Sequence, residues 1–305
     1  MTLAISAKPK SESRLSVDLT LEEALRAFVR VLEGKNRSDA TLKAYETDVA
    51  QFIAWIHENN LVTTRPDQVE KLDVQEYLTH LGHKELTGVS RARKLAAIRE
   101  YFRFLENNDQ VAKSPAAGID TPKKEKNGRT YLLPDEYSRM LSLAGGNVRD
   151  FAILQVFLQT GVRVSELCGL ALQDVDLVAH QLTARGKGMV TREIDLEKKA
   201  IQAIKSWLAV RPTVPYLNLF LNYKGEPISE RGVEKLVVKY RQRAGITKKA
   251  SCHSLRHTFA TYKAERGVSP FQLQQWLGHA NLNTTQIYVH MGRKNARKVM
   301  EATSL

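Results

Sequence analysis

Only two cysteines, Cys168 and Cys252, occur in the 305 residues. They have no framework spacing, which excludes a disulfide scaffold and fits a reducing cytoplasm in which neither thiol has a special role. No apolar run approaches the ~18 residues that a membrane-spanning helix needs, so no membrane partner is expected. Met1 to Ser16 is rich in Ser and Lys but lacks the apolar stretch of a secretory signal, and it reads as a disordered leader. Acidic residues are also in short supply. Against 46 Lys and Arg stand 33 Asp and Glu, for a net charge of +13, which favours a polyanionic partner. The excess lies mainly towards the C-terminus: residues 1–130 carry 21 basic and 19 acidic side chains, and the remainder 25 and 14. Composition alone would equally suit a ribosomal or heparin-binding protein.

Hydrophobic periodicity predicts a first region that is wholly helical. Leu21, Leu25, Phe28, Val29 and Leu32 form one stripe, with Asp18 or Thr20 as N-cap. A second helix starts at Ser38 or Asp39 and runs through Leu42, Tyr45, Val49, Phe52 and Ile56. A third spans about Asp73 to Leu81, and a fourth about Val89 to Asn107. The fourth carries Leu95, Ile98, Tyr101, Phe102 and Leu105 on one face and Arg91, Arg93, Lys94, Arg99 and Arg103 on the other. With few acids to offset it, that basic face is as well suited to phosphate contact as to simple solvation. Ser114 to Arg129 contains Pro115, Pro122, Lys123, Lys124, Lys126 and Gly128, lacks any apolar period and reads as a linker. Its lysines suit a DNA backbone or a solubilising tether.

A second, mostly helical domain follows. Helices are expected over Leu132–Glu136 onward, Val148–Gln159, Val162–Ala171, Lys198–Val210, Glu230–Ala244, Ser254–Arg266, Ser269–Leu277, Thr284–Tyr288 and Arg293–Ala302. Two strands, Gln181–Ala184 and Thr191–Leu196, flank Arg185-Gly186-Lys187-Gly188, whose two glycines signal a hairpin. The domain division is a leader over 1–16, a helical domain over 17–112, a linker over 113–130 and a second domain over 131–305.

Taken singly, the polar residues of that second domain are unremarkable. Arg163 could be an ordinary ion-pair residue at a helix start, Lys187 a solvated turn residue, His253 and Arg256 helix caps, and Tyr288 a packing residue. Together, Arg163, Lys187, His253, Arg256, His279 and Tyr288 supply two guanidiniums, an ammonium, two imidazoles and a phenol, with no carboxylate cluster beside them. That set suits phosphoryl transfer without a metal: arginines hold the non-bridging oxygens, the phenol attacks, and lysine or histidine handles protons. His253 and His257 at i and i+4, with His279, also resemble a zinc helix. However, Ser254 stands where the zinc-protease motif needs Glu, and Arg256 would oppose a cation. The metal reading is therefore set aside.

The order Thr160-Gly161-Val162-Arg163-Val164-Ser165-Glu166-Leu167, Gly186-Lys187-Gly188, His253-Ser254-Leu255-Arg256-His257, Leu277-Gly278-His279 and Thr284 to Tyr288 resembles the signature of the tyrosine recombinases, the Xer type above all. The resemblance covers the chain from about Leu21 and is looser in the N-terminal region. It implies a mainly α fold, with a SAM-like helical core-binding domain and a mostly α catalytic domain holding a small antiparallel β-sheet. It implies that Arg163, Arg256 and His279 hold the scissile phosphate, that His253 accepts or orients the Tyr288 proton, and that Lys187 protonates the leaving 5′ oxygen. Glu166 would hold the site together. Arg91, Arg93, Lys94, Arg99, Lys123 and Lys124 become candidate contacts to duplex DNA. No metal, ATP or other cofactor is implied. A homo-tetramer on paired sites, or a hetero-tetramer with a second recombinase, is implied, with a C-terminal tail docking into a neighbouring protomer. The setting would be cytoplasmic and nucleoid-associated. A type IB topoisomerase and a non-catalytic DNA-binding protein are the rival readings.

Overall fold

The computed structural model describes residues 19–35, 39–59, 62–123, 130–186 and 191–278. The chain divides into two compact units, Met1–Asn127 and Gly128–Leu305. The first is built from α1 (Leu21–Glu33), α2 (Asp39–Asn59), α3 (Lys71–His83) and α4 (Gly88–Asn107). Thr20, rather than Asp18, caps α1: its Oγ1 accepts the Glu23 N–H at 3.2 Å while Glu23 accepts the Thr20 N–H at 2.9 Å. The stripes of α1, α2 and α4 meet in one core around Phe28, Phe52, Ile56, Leu95, Tyr101 and Phe102. Burying each such side chain contributes about 1.5–3 kcal/mol. Tyr101 reaches across to α1, donating its hydroxyl to the Leu21 carbonyl at 3.0 Å.

Beyond α4 the chain folds back onto this core. Val111, Ala116 and Ile119 are buried in it, and the last two belong to the segment expected to be a linker over 113–130. Apolar residues at irregular spacing bind a loop as firmly as a stripe binds a helix, and periodicity does not register them.

The second unit contains α5 (Pro134–Ala144), α6 (Val148–Thr160), α7 (Val164–Gly169), α8 (Lys198–Val210), α9 (Glu230–Arg243), α10 (Cys252–Glu265) and α11 (Pro270–Leu277). Between α7 and α8 lies an antiparallel sheet ordered β1 (Val175–Asp176), β2 (Gln181–Arg185), β3 (Thr191–Asp195). α6 is the buried centre, with Ala152, Ile153, Leu154, Val156 and Phe157 all inaccessible, and α8 and α10 pack against it. Mainly α architecture with a small antiparallel sheet is therefore observed. The two-residue β1 escaped the sequence reading because so short a strand has no alternation to detect. The expected helix Val162–Ala171 is also shorter. Arg163 is its extended N-cap, and at the far end residues 170–172 leave the helix to bond with residues 217–219 (Leu219 N to Leu170 O, 2.7 Å; Leu172 N to Leu217 O, 2.8 Å). Among the described residues no helix is long and apolar enough to cross a membrane.

Candidate active site

The site is organised by the turn between α6 and α7. Gly161 ends α6 in the left-handed region, at φ 63° and ψ 24°, with its N–H bonded to the Phe157 carbonyl. A Cβ there would stand 2.4 Å from Phe259 Cδ1 of α10 and 3.1 Å from Leu277 of α11. Glycine is needed on both counts, since conformation and space each exclude a side chain. This close approach sets Arg163 facing the ends of α10 and α11.

Glu166, one turn into α7, is the hub. Its Oε2 accepts the Arg163 backbone N–H at 2.8 Å and its Oε1 accepts Arg163 Nη1 at 2.7 Å. Both oxygens also accept from Arg192 of β3, Nη1 at 2.8 Å and Nη2 at 2.6 Å. Burial by itself would raise this carboxyl, but the Arg192 and Arg163 donors outweigh it and hold the group at about 2. It is ionised throughout the neutral range.

Three arginines then converge on the C-terminal end of α11. Arg192 Nε donates to the Trp276 carbonyl at 2.7 Å, Arg256 Nη2 to Leu277 at 2.5 Å and Arg163 Nη2 to Gly278 at 2.8 Å. Cations are favoured there by the exposed carbonyls of a helix C-terminus. Arg256 also bonds the Gly161 carbonyl at 2.7 Å, tying α10 to the turn. Its residue is only 5 % exposed, whereas the Arg163 side chain is 38 % exposed. Gly278, at φ 60°, closes α11, and the chain leaves for His279 from a point fixed by all three guanidiniums.

α10 begins at Cys252, two residues before the expected Ser254, so His253 lies in its first turn, one turn ahead of Arg256. The His253 imidazole is exposed and stands edge-on to His257 at 5.7 Å. The β2–β3 register pairs Arg185 with Thr191, fixing both ends of the connection that carries Lys187. Lys187, His279, Tyr288 and Lys124, the helices expected over Thr284–Tyr288 and Arg293–Ala302, and the leader Met1–Ser16 lie outside the described residues. Arg192 was not anticipated. The available signal was a basic residue on the same face of β3 as the buried Ile194.

The basic face of α4 is largely engaged within the first unit. Lys94, 5 % exposed, donates to Asp48 Oδ1 at 2.9 Å and to Gln51, and Arg93 pairs with the other Asp48 oxygen. Arg99 bonds the Ile119 carbonyl and Thr121 Oγ1, clasping the folded-back segment. Arg103 pairs with Glu100. The buried Arg91 Nε has no hydrogen-bond partner among the described residues, and Lys123 is exposed. Burial pushes the thiols of Cys168 and Cys252 up to about 12, so neither is a thiolate at neutral pH.

Residues 130–294 match the model of the phage integrase family, and residues 25–108 that of the phage integrase N-terminal SAM-like domain. The chain belongs to this family, the tyrosine recombinases, and is of the Xer type. It is 36 % identical to tyrosine recombinase XerC of Pelobacter propionicus over 92 % of this chain and 95 % of that one. It is likewise 36 % identical to tyrosine recombinase XerD of Bifidobacterium longum, over 83 % and 87 %. Among solved structures it resembles XerA recombinase, with 30 % identity, a TM-score of 0.53, and coverage of 93 % of this chain and 99 % of that one. It also shares the fold of a lambda integrase dimer bound to a core site, with 19 % identity, a TM-score of 0.75, and coverage of 88 % and 77 %.

Proposed function

We propose that this enzyme cuts and rejoins duplex DNA at specific sites through a covalent link between Tyr288 and a 3′ phosphate. The observation that carries the reading is the convergence of Arg163 and Arg256 on the adjacent carbonyls of Gly278 and Leu277, one and two residues before His279. A scissile phosphate offers anionic oxygens in place of such neutral carbonyl acceptors, and guanidiniums bind it more strongly.

The Tyr288 oxygen attacks phosphorus while His253 accepts or orients the phenolic proton. The bond to the 5′ oxygen breaks, and Lys187 supplies the proton that leaves a 5′ hydroxyl. Arg163 and Arg256 neutralise the charge that grows on the non-bridging oxygens, with His279 adding a hydrogen bond. The new phosphotyrosine ester conserves the energy of the phosphodiester bond that was broken, so attack by a 5′ hydroxyl from a second duplex, with Tyr288 as the leaving group, rejoins the strand without ATP. Repetition on the other strands forms and resolves a Holliday junction. Four protomers on two sites, all of one kind or paired with a second recombinase, complete the assembly, and the tail after Tyr288 docks into a neighbour. The setting is the cytoplasm, at the nucleoid. Lys123, Lys124 and the parts of Arg91, Arg93 and Arg99 that remain accessible follow the DNA backbone, whereas Lys94 supports α4 from inside.

Nicked duplexes bearing candidate sites test this directly. The nick lets a short fragment diffuse away, so the adduct accumulates on a denaturing gel. Wild type is expected to give a protein–DNA band that is absent from Tyr288→Phe, and strand exchange between two sites then excludes a topoisomerase. Tight, site-specific binding without any adduct would establish a non-catalytic DNA-binding protein instead.

A further inference from the structure

We propose that Arg192 is a positioning residue for DNA cleavage, which by bridging the Glu166 carboxylate and the Trp276 carbonyl sets Arg163 and the chain leaving α11 in register with each other. The proposal rests on the function given above and names a residue which that chemistry does not use.

Arg192 is 11 % exposed at its side chain and makes three bonds to two partners: two parallel bonds to the two Glu166 oxygens, and one from Nε to the Trp276 carbonyl. The parallel pair is the fork geometry that only a guanidinium can present to a carboxylate. Gly278 is shaped to this side chain, since a Cβ there would lie 3.0 Å from Arg192 Nη1 and 3.3 Å from its Cδ and Cζ. The strand has no need of these bonds. β3 lies at the edge of the sheet and is held to β2 by a backbone register running from Gln181↔Asp195 to Arg185↔Thr191. One side chain therefore links three elements: the strand leaving the Lys187 hairpin, the α7 start that bears Arg163, and the α11 end that precedes His279.

The consequence for chemistry follows from counting acceptors. With Arg192 present, Glu166 is saturated by two guanidiniums and one backbone N–H, and it takes a single bond from the Arg163 guanidinium. Without Arg192, a buried carboxylate is left short of donors and Arg163 is the cation at hand to satisfy it. Arg163 would then be turned from the phosphate towards Glu166. The groups facing Glu166 are Arg163 from the α7 start and Arg192 from β3, with Arg256 behind the Gly161 turn.

Arg192→Lys and Arg192→Gln, each alone and combined with Glu166→Gln, test this in the full-length protein on the nicked duplex. Site-specific DNA affinity and thermal stability are recorded alongside single-turnover adduct formation. Arg192→Lys is expected to slow cleavage at least ten-fold at neutral pH with DNA affinity unchanged, and to lose activity on the acid side at a higher pH than wild type. Adding Arg192→Lys or Arg192→Gln to Glu166→Gln is expected to slow cleavage by less than the same change does in wild type, because the part of the Arg192 effect that runs through Glu166 is already lost and only the part through Trp276 remains. Fully multiplicative losses, a wild-type rate, or a loss of cleavage that only tracks loss of folding and binding in both variants would overturn the proposal. Wild type serves as the control. If wild type forms no adduct, the functional reading falls and this proposal with it; if wild type cleaves and Arg192→Lys cleaves equally well, only the role of Arg192 falls.

Discussion

The two units both set two cations on one buried carboxylate and a further arginine on neutral oxygens, but they direct those cations to different places. On α4, Arg93 and Lys94 share the single charge of the buried Asp48 carboxylate, and Arg99 is committed to the loop that folds back at Ile119 and Thr121. In the second unit, Arg163 and Arg192 share the single charge of Glu166, and Arg256 meets the neutral carbonyls of Gly161 and Leu277. The first arrangement pins α4 to α2 and to the folded-back loop. The second gathers three guanidiniums at the C-terminal end of α11, with Arg163 the most exposed of them. A run of basic residues therefore says little until its partners are known, and it is where the cations converge that separates scaffold from site.

The largest effect that would sharpen this comparison is expected in the second unit. Arg256→Ala should lower single-turnover cleavage by about 10²–10³-fold or more, the usual cost of removing one transition-state donor. Arg93→Ala should leave the cleavage rate of bound DNA within a few-fold of wild type. Measuring both on one nicked substrate checks the contrast, and a similar loss in the two would erase it.

Next is the turn that aims the arginines. Gly161→Ala places a methyl group 2.4 Å from the Phe259 ring in a backbone conformation unfavourable to alanine. It should cost about 2–4 kcal/mol, from strain and overpacking together. Denaturant unfolding of the full chain gives the number, and a change below 1 kcal/mol would mean that the turn relaxes freely.

In the first unit the effect should fall on stability alone. Asp48→Asn leaves Lys94 buried beside a neutral amide and should destabilise by about 3 kcal/mol, in the range for breaking a buried pair. Pairing it with Lys94→Met should recover part of that loss, because the stranded charge is removed as well. Failure of the double variant to recover any would mean that Lys94 contributes through more than Asp48.

Where the sequence could be read, the residues that set the structure were neighbours along the chain. The stripes of α1, α2 and α4, the Thr20 cap, the hairpin of β2 and β3 and the Arg163–Glu166 turn all depend on spacings of two to four residues. What escaped depends on partners far apart. Asp48 lies 45 residues from Arg93, Arg192 lies 26 from Glu166, and Ile119 returns to a core built much earlier in the chain. Arg192 had nothing in the sequence to single it out within a short strand, and Lys94 read as one more cation on a face suited to phosphate contact or solvation. Local pattern assigns a residue to a face of its element but does not say what the fold will bring opposite that face.

The smallest expected effect concerns acid, and it follows from Glu166 being held at about 2 in the folded protein against an ordinary value of 4.5. A depressed carboxyl contributes stability that is fully present above the unfolded value and is lost as pH falls through the folded one. The stability supplied by the Arg163–Glu166–Arg192 cluster should therefore be intact at pH 6 and decline between about pH 4.5 and 2. Glu166→Gln should be less stable than wild type at pH 6, and the gap should narrow steadily as the buffer is taken to pH 3. Thermal unfolding of both proteins across that range provides the check. A gap that stays constant with pH would mean that Glu166 acts through its shape rather than its charge, and the likeness between the two carboxylate-centred clusters would then be one of geometry alone.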